Sequence, residues 1–159
     1  MTGHALDTYL NDHLAGAVLA LELLDHLLEL PPQVDQQQLA RLRVGIEQDQ
    51  KVLRGLIKDL GAKESPLRKA AAWLSEKMGQ LKLRVDDPDS GGLVEFETLE
   101  TLALGIQGKL ALWRTLSAVA DRNPALSSLD LAELQARARD QFEQMEQLRL
   151  QAARRALQG

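Results

Sequence analysis

Apolar residues recur at spacings of three and four from Leu6 to Leu28 and again from Leu39 to Leu60, the period of long amphipathic helices. Leu, Ala, Gln, Glu, Arg and Lys dominate and β-branched residues are scarce, so local propensity agrees with the period. At 100° per residue, His13 and Asp49 both fall near the middle of the apolar arc of their helix. A polar side chain inside a packed seam costs stability unless it is partnered. Each of the two is therefore satisfied by a neighbour or functional.

A chain of 159 residues has the size of one domain (1–159) and can bury roughly 70% of its unfolded surface. It has no cysteine, which removes disulfides, thiolate metal sites and cysteine nucleophiles together. Aromatics make up 3%, too few for base-stacking platforms, and a net charge of −4 opposes general nucleic-acid binding. The longest nearly uncharged run, Leu14 to Leu24, contains Glu22 and is too short to span a bilayer. Residues 1–30 carry no Lys or Arg, unlike the basic start of a signal peptide. The expectation is a cytoplasmic protein with no membrane span, no nucleic-acid partner and no cofactor.

Five helical segments are predicted. The first runs from about Asp7 to Leu30 and stops at Pro31-Pro32. The second follows Asp35, a candidate cap, and ends at Gly61. Ser65-Pro66 opens a shorter helix to about Leu83. The run Asp86-Asp87-Pro88-Asp89-Ser90-Gly91-Gly92 is a loop. A fourth helix spans about Leu93–Asp121 and breaks at Asn123-Pro124, and the fifth begins near Ser127 or Ser128. Short turns join the first helix to the second and the fourth to the fifth, so each pair forms an antiparallel hairpin. The segment at about 65–83 is long enough to carry the chain along the bundle between them. Bases crowd residues 61–84 and acids crowd 85–100, a pattern equally suited to docking within the fold and to separately solvated faces.

An all-α chain of two long-helix hairpins joined by a long helical crossover resembles the ferritin-like superfamily in architecture. That resemblance implies a four-helix bundle. The superfamily's di-iron site uses inward Glu residues and Glu-x-x-His pairs, and this chain has no Glu-x-x-His. Its three histidines, His4, His13 and His26, are all in the first helix. Glu22 and His26 stand four apart, but on the polar face with Asn11, Asp25 and Glu29. The resemblance therefore implies a metal-free member rather than an oxidase.

Folding the first hairpin about Pro31-Pro32 brings His13 level with Asp49 or Gln50, and the second hairpin, turning at Pro124, brings Gln107 level with Gln141. Two readings are open for these pairs: register-setting contacts, or a remnant mid-bundle site. Glu100, Gln107 and Arg114, seven residues apart, form a second polar line, with Glu100 and Arg114 as a candidate ligand rim. No catalytic residue stands out. The first helix has a second apolar face with Leu23 and Leu27, where a homodimer partner is expected. The expected function is non-enzymatic, through self-association or binding of a protein partner. The alternative is a metal-binding carboxylate protein with atypical ligands drawn from His13, Asp49, Glu100 and His26.

Overall fold

The computed structural model describes residues 3–31, 33–63, 76, 79 and 92–158, and the described residues are helical with no strand. Helix α1 spans Gly3–Glu29, α2 Gln36–Asp59 and α3 Leu93–Val119. A 3-10 turn, Ala120–Arg122, and a four-residue helix α4, Pro124–Ser127, lead into α5, Leu131–Leu157. The four long helices are 24–27 residues, about 36–40 Å at 1.5 Å per residue. Of the crossover expected at about 65–83, residues 76 and 79 are described, and the rest lies outside the described residues.

Local chemistry sets the helix ends. The Asp35 carboxylate accepts from the Gln38 amide at 3.0 Å, capping α2 where the sequence placed a cap. Gly61, at φ 69°, closes α2: its amide donates to Lys58 and that of Ala62 to Ile57, a left-handed stop that only glycine adopts without strain. The fifth segment begins later than predicted. Asn123 caps the short α4, with Pro124 at its first position, and the chain restarts at Asp130, whose carboxylate accepts from Glu133 N at 2.9 Å. Asp130 with Glu133 at the third helical position is a stronger start signal than Ser127 or Ser128.

α1 packs antiparallel on α2 and α3 antiparallel on α5, and the two hairpins meet through α1–α3 and α2–α5. The core is two clusters. One gathers Leu24 and Leu27 of α1, Leu39 and Leu42 of α2, Leu99 and Leu102 of α3, and Met145 and Leu148 of α5. The other, at the opposite end, gathers Leu10 and Leu14, Leu53 and Ile57, Trp113 and Leu116, and Leu134 and Ala138. This pairing of ends makes α2 and α3 parallel. Lys63 is tied beside Asn11, whose side-chain amide donates to its carbonyl at 3.2 Å, whereas Gly92 lies by Gln33 at the other end. Lys63 and Gly92 therefore stand at opposite ends of the bundle.

Two expectations for α1 are corrected. Asn11, read as part of the solvated face, is buried, because it anchors the chain leaving α2. Leu23 and Leu27, expected at a dimer interface, are 2% and 3% exposed within a single chain and belong to the core. The second apolar face of α1 is consumed by intrachain packing. Leu27→Glu should accordingly lower stability by at least about 3 kcal/mol in urea unfolding, because a carboxylate would be driven into a core with no partner. A variant that kept its stability and changed only its mass in light scattering would contradict this packing.

Candidate functional site

A single polar layer separates the two core clusters. At its centre is Asp49 of α2, with 2% residue exposure. Its Oδ2 accepts from Lys109 Nζ of α3 at 2.6 Å and from Gln141 Nε2 of α5 at 3.0 Å, and its Oδ1 accepts from Arg137 Nη2 of α5 at 2.5 Å. Lys109 Nζ also donates to Gln141 Oε1. Flanking apolar residues set the height of the layer: Ile46 and Leu53 bracket Asp49, and Ile106 and Leu112 bracket Lys109. Gly45, one turn before Asp49, lets Gln141 lie against α2, since a Cβ there would come within 2.9 Å of Gln141 Nε2. Burial pushes the Lys109 amine below the ordinary lysine range. Asp49 pulls it back up and Arg137 adds to the depression.

Beside this layer, α1, α2 and α3 enclose a half-open cleft of about 300 Å³. Gly16, Ala17 and Ala20 line it from α1, Gly105 and Gly108 from α3, and Ile46, Leu53, Leu102, Ile106 and Leu112 supply apolar wall. Its polar groups are Asp12, His13, Asp49, Gln50, Lys109 and Trp113. Trp113 is 1% exposed, and its indole N–H has no acceptor. A Cβ added at Gly16, Gly105 or Gly108 would meet nothing within 4 Å. Nothing in the packing of the described residues demands these glycines.

The sequence placed Asp49 inside the seam, and it is there, but its partner is not His13. Hairpin arithmetic sets the height of a residue along a helix and leaves its rotation open. His13 turns toward the cleft, where its ring meets Tyr9 edge-on at 4.7 Å, and it makes no hydrogen bond to Asp49. Burial lowers the His13 pKa from 6.5 more than neighbouring Asp12 raises it. Gln141 is buried as expected, whereas Gln107 faces solvent and Lys109 takes its place. Glu100 pairs with Arg149 at 3.0 Å, and Arg114 is exposed, so the proposed rim is not a rim of the cleft. His26, half-buried, lies about 20 Å along α1 from His13 at 1.5 Å per residue. His13, Asp49, Glu100 and His26 do not converge, and among the described residues no group of three or more His, Asp or Glu could hold a metal ion.

Sequence reasoning missed Lys109, Arg137 and Trp113. The signal was present. Lys109 stands three after Ile106 and four before Trp113, and Arg137 three after Leu134 and four before Gln141, both at seam spacing.

Compared with protein-family models, curated proteins and solved structures, the chain matches none. No helix among the described residues is long and apolar enough to cross a membrane.

Asp49→Ala should cost about 3–5 kcal/mol, since it leaves Lys109 and Arg137 without their counter-charge. In double-mutant cycles Asp49 and Lys109 should couple by about 0.5–3 kcal/mol, whereas Asp49 and His13 should be additive within about 0.5 kcal/mol. A strong His13 coupling would contradict the geometry. The depressed His13 pKa has its own signature. The unfolded chain takes up this proton near pH 6.5 and the folded chain only at lower pH, so stability falls as pH drops below 6.5 toward the folded value. His13→Gln should flatten that part of a stability–pH curve. It should leave untouched the more acidic loss contributed by Asp25 and Glu146, whose carboxyls their Arg43 and Arg149 hydrogen bonds hold below the usual range.

Proposed function

We propose that this chain is a non-enzymatic helical bundle of ferritin-like arrangement whose mid-bundle cleft binds a small ligand. Two antiparallel hairpins with parallel α2 and α3 support the ferritin-like arrangement, as do Lys63 and Gly92 at opposite ends of the bundle. The metal-binding alternative has less support, because its four candidate ligands are dispersed along the helices. Self-association through Leu23 and Leu27 also loses support, because both side chains are spent inside the chain.

One observation carries the proposal: a mainly apolar, half-open cleft of about 300 Å³ bordered by three helical glycines, with an indole N–H buried without an acceptor in Trp113 of its wall. An unmade hydrogen bond of this kind costs about 1–3 kcal/mol. Gly16, Gly105 and Gly108 each cost about 1 kcal/mol relative to alanine inside a helix. The glycine cost is compensated if the space is occupied in function. The shape agrees with small-ligand sites generally, which are concave, mainly apolar and furnished with a few polar groups. Binding is favoured over turnover because the described lining residues include no hydroxyl nucleophile, and Lys109 is engaged by Asp49 and Gln141.

Gly105→Ala and Gly108→Ala should each stabilise the fold by about 0.5–1 kcal/mol, whereas Gly108→Leu should fill the cleft. With Trp73→Phe leaving Trp113 as the sole reporter, small apolar-bodied acids, amides and amines can be screened by fluorescence. At least one of these classes should change Trp113 emission, and Gly108→Leu should abolish the change. A chain that responds to none of them would remove the basis for a ligand cleft.

A further inference from the structure

The polar groups of the cleft are unequally committed. Its charged lining residues are Asp12, Asp49 and Lys109, two negative charges against one positive. Asp49 and Lys109 are bound to each other at 2.6 Å, and Arg137 and Gln141 complete their layer. Asp12, exposed on α1 and without an ion pair among the described residues, is left as the uncommitted charge facing the cleft. His13 beside it accepts no hydrogen bond among the described residues, and its ring nitrogens, unlike Trp113 Nε1, are not sealed from solvent. Burial outweighs Asp12 and favours the neutral imidazole, which has a lone pair to offer. Both acceptors stand toward one end of the cleft. The Tyr9 hydroxyl donates to Thr115 Oγ1 at 3.2 Å and fixes the level of antiparallel α3 against α1. Asp12 is thereby level with the turn around Leu112, and Ala20, two turns beyond His13, with the apolar stretch from Leu102 to Ile106.

We infer that the ligand is an amine, bound as its ammonium ion, with a compact apolar body: Asp12 and a ring nitrogen of His13 receive the ammonium, and the body lies along Ala17, Ala20, Leu102 and Ile106. This rests on the reading of the cleft as a ligand site and adds the chemical class. An ammonium group has three N–H donors, two for these acceptors and one for water at the half-open mouth. Its charge cancels the net negative charge of the lining. A neutral ligand would shield the Asp12 carboxylate from water and return nothing. An anion would face Asp12 and Asp49, with Lys109 already bound to Asp49 and Gln141. At roughly 30 Å³ per water-sized group, about 300 Å³ accommodates about ten non-hydrogen atoms. An eight-carbon amine is of that size. Protonating His13 would remove its lone pair and set a second positive charge beside the ammonium, so affinity falls as pH drops below 6.5. Asp12 of α1, Asp49 of α2 and Lys109 of α3 are the other charged groups of the cleft lining, and Tyr9 meets the ring edge-on.

Isothermal titration of the full chain at pH 7.5 with octylammonium, octanamide and octanoate, equal in chain length and different in charge, tests the class. Octylammonium should bind at least about threefold more tightly than octanamide, the scale of an ion pair at a half-open site, and octanoate more weakly than either. Asp12→Asn, at an exposed position that the fold does not depend on, should bring octylammonium and octanamide to similar affinities. Gly108→Leu should abolish octylammonium binding. Between pH 7.5 and 5.5 that binding should weaken, and His13→Gln, which keeps an acceptor and cannot titrate, should flatten the dependence. Equal affinity for octylammonium and octanamide, or preference for octanoate, would overturn the amine assignment and leave a ligand cleft standing. A preference for octylammonium that survives Asp12→Asn, or binding that survives Gly108→Leu, would place the amine elsewhere and overturn the assignment. If none of the three binds, both the assignment and the cleft reading fall.

Discussion

The buried Asp49 carboxylate is the constraint around which the bundle is organised. A charge this deep is tolerable only with its hydrogen bonds and counter-charges in place, and these come from two other helices: Lys109 of α3, and Arg137 and Gln141 of α5. Sliding any of the three by a turn, about 5.4 Å, would leave the carboxylate unpartnered. Leucine clusters above and below are interchangeable enough to tolerate such slips. The polar layer is not, so it selects one register from several that apolar packing alone would permit.

The same layer shapes the cleft. Lys109 must reach inward to Asp49, and α1, which contributes nothing to the network, faces α3 across Gly16, Ala17, Ala20, Gly105 and Gly108. Small residues on facing helices usually allow close backbone approach. Here a Cβ on any of the three glycines meets nothing, because the helices stand apart and leave space between them. Contrast Gly45, where a missing Cβ is what lets Gln141 lie across α2. Residues of one type thus close one interface and open another, depending on what stands opposite.

Much of the fold was legible in the sequence because helical period and helix punctuation are local. The apolar spacing on α1 and α2, the Asp35 cap, Gly61 and the break at Asn123-Pro124 act through residues within a turn or two of each other. The site was legible only in part. Asp49 and Gln141 announced themselves as polar residues at seam positions, but Lys109 and Arg137, at comparable positions, read as surface charges. A long basic side chain can lie at the edge of an apolar stripe and reach water or reach inward, and the helix pattern is the same in both cases.

The sequence by itself determined the helices, their ends and the presence of a buried carboxylate in the middle of α2, because backbone hydrogen bonding and amphipathic period depend on near neighbours. It also determined hairpin pairing through the short turn at Pro31. Only the tertiary structure decided who faces whom. Helix rotation about its own axis turned His13 toward the cleft and delivered Lys109 and Arg137 to Asp49, and it folded Leu23 and Leu27 into the core instead of a subunit interface. Rotation and lateral packing are settled by the summed fit of all four helices at once, which no single helix's pattern contains.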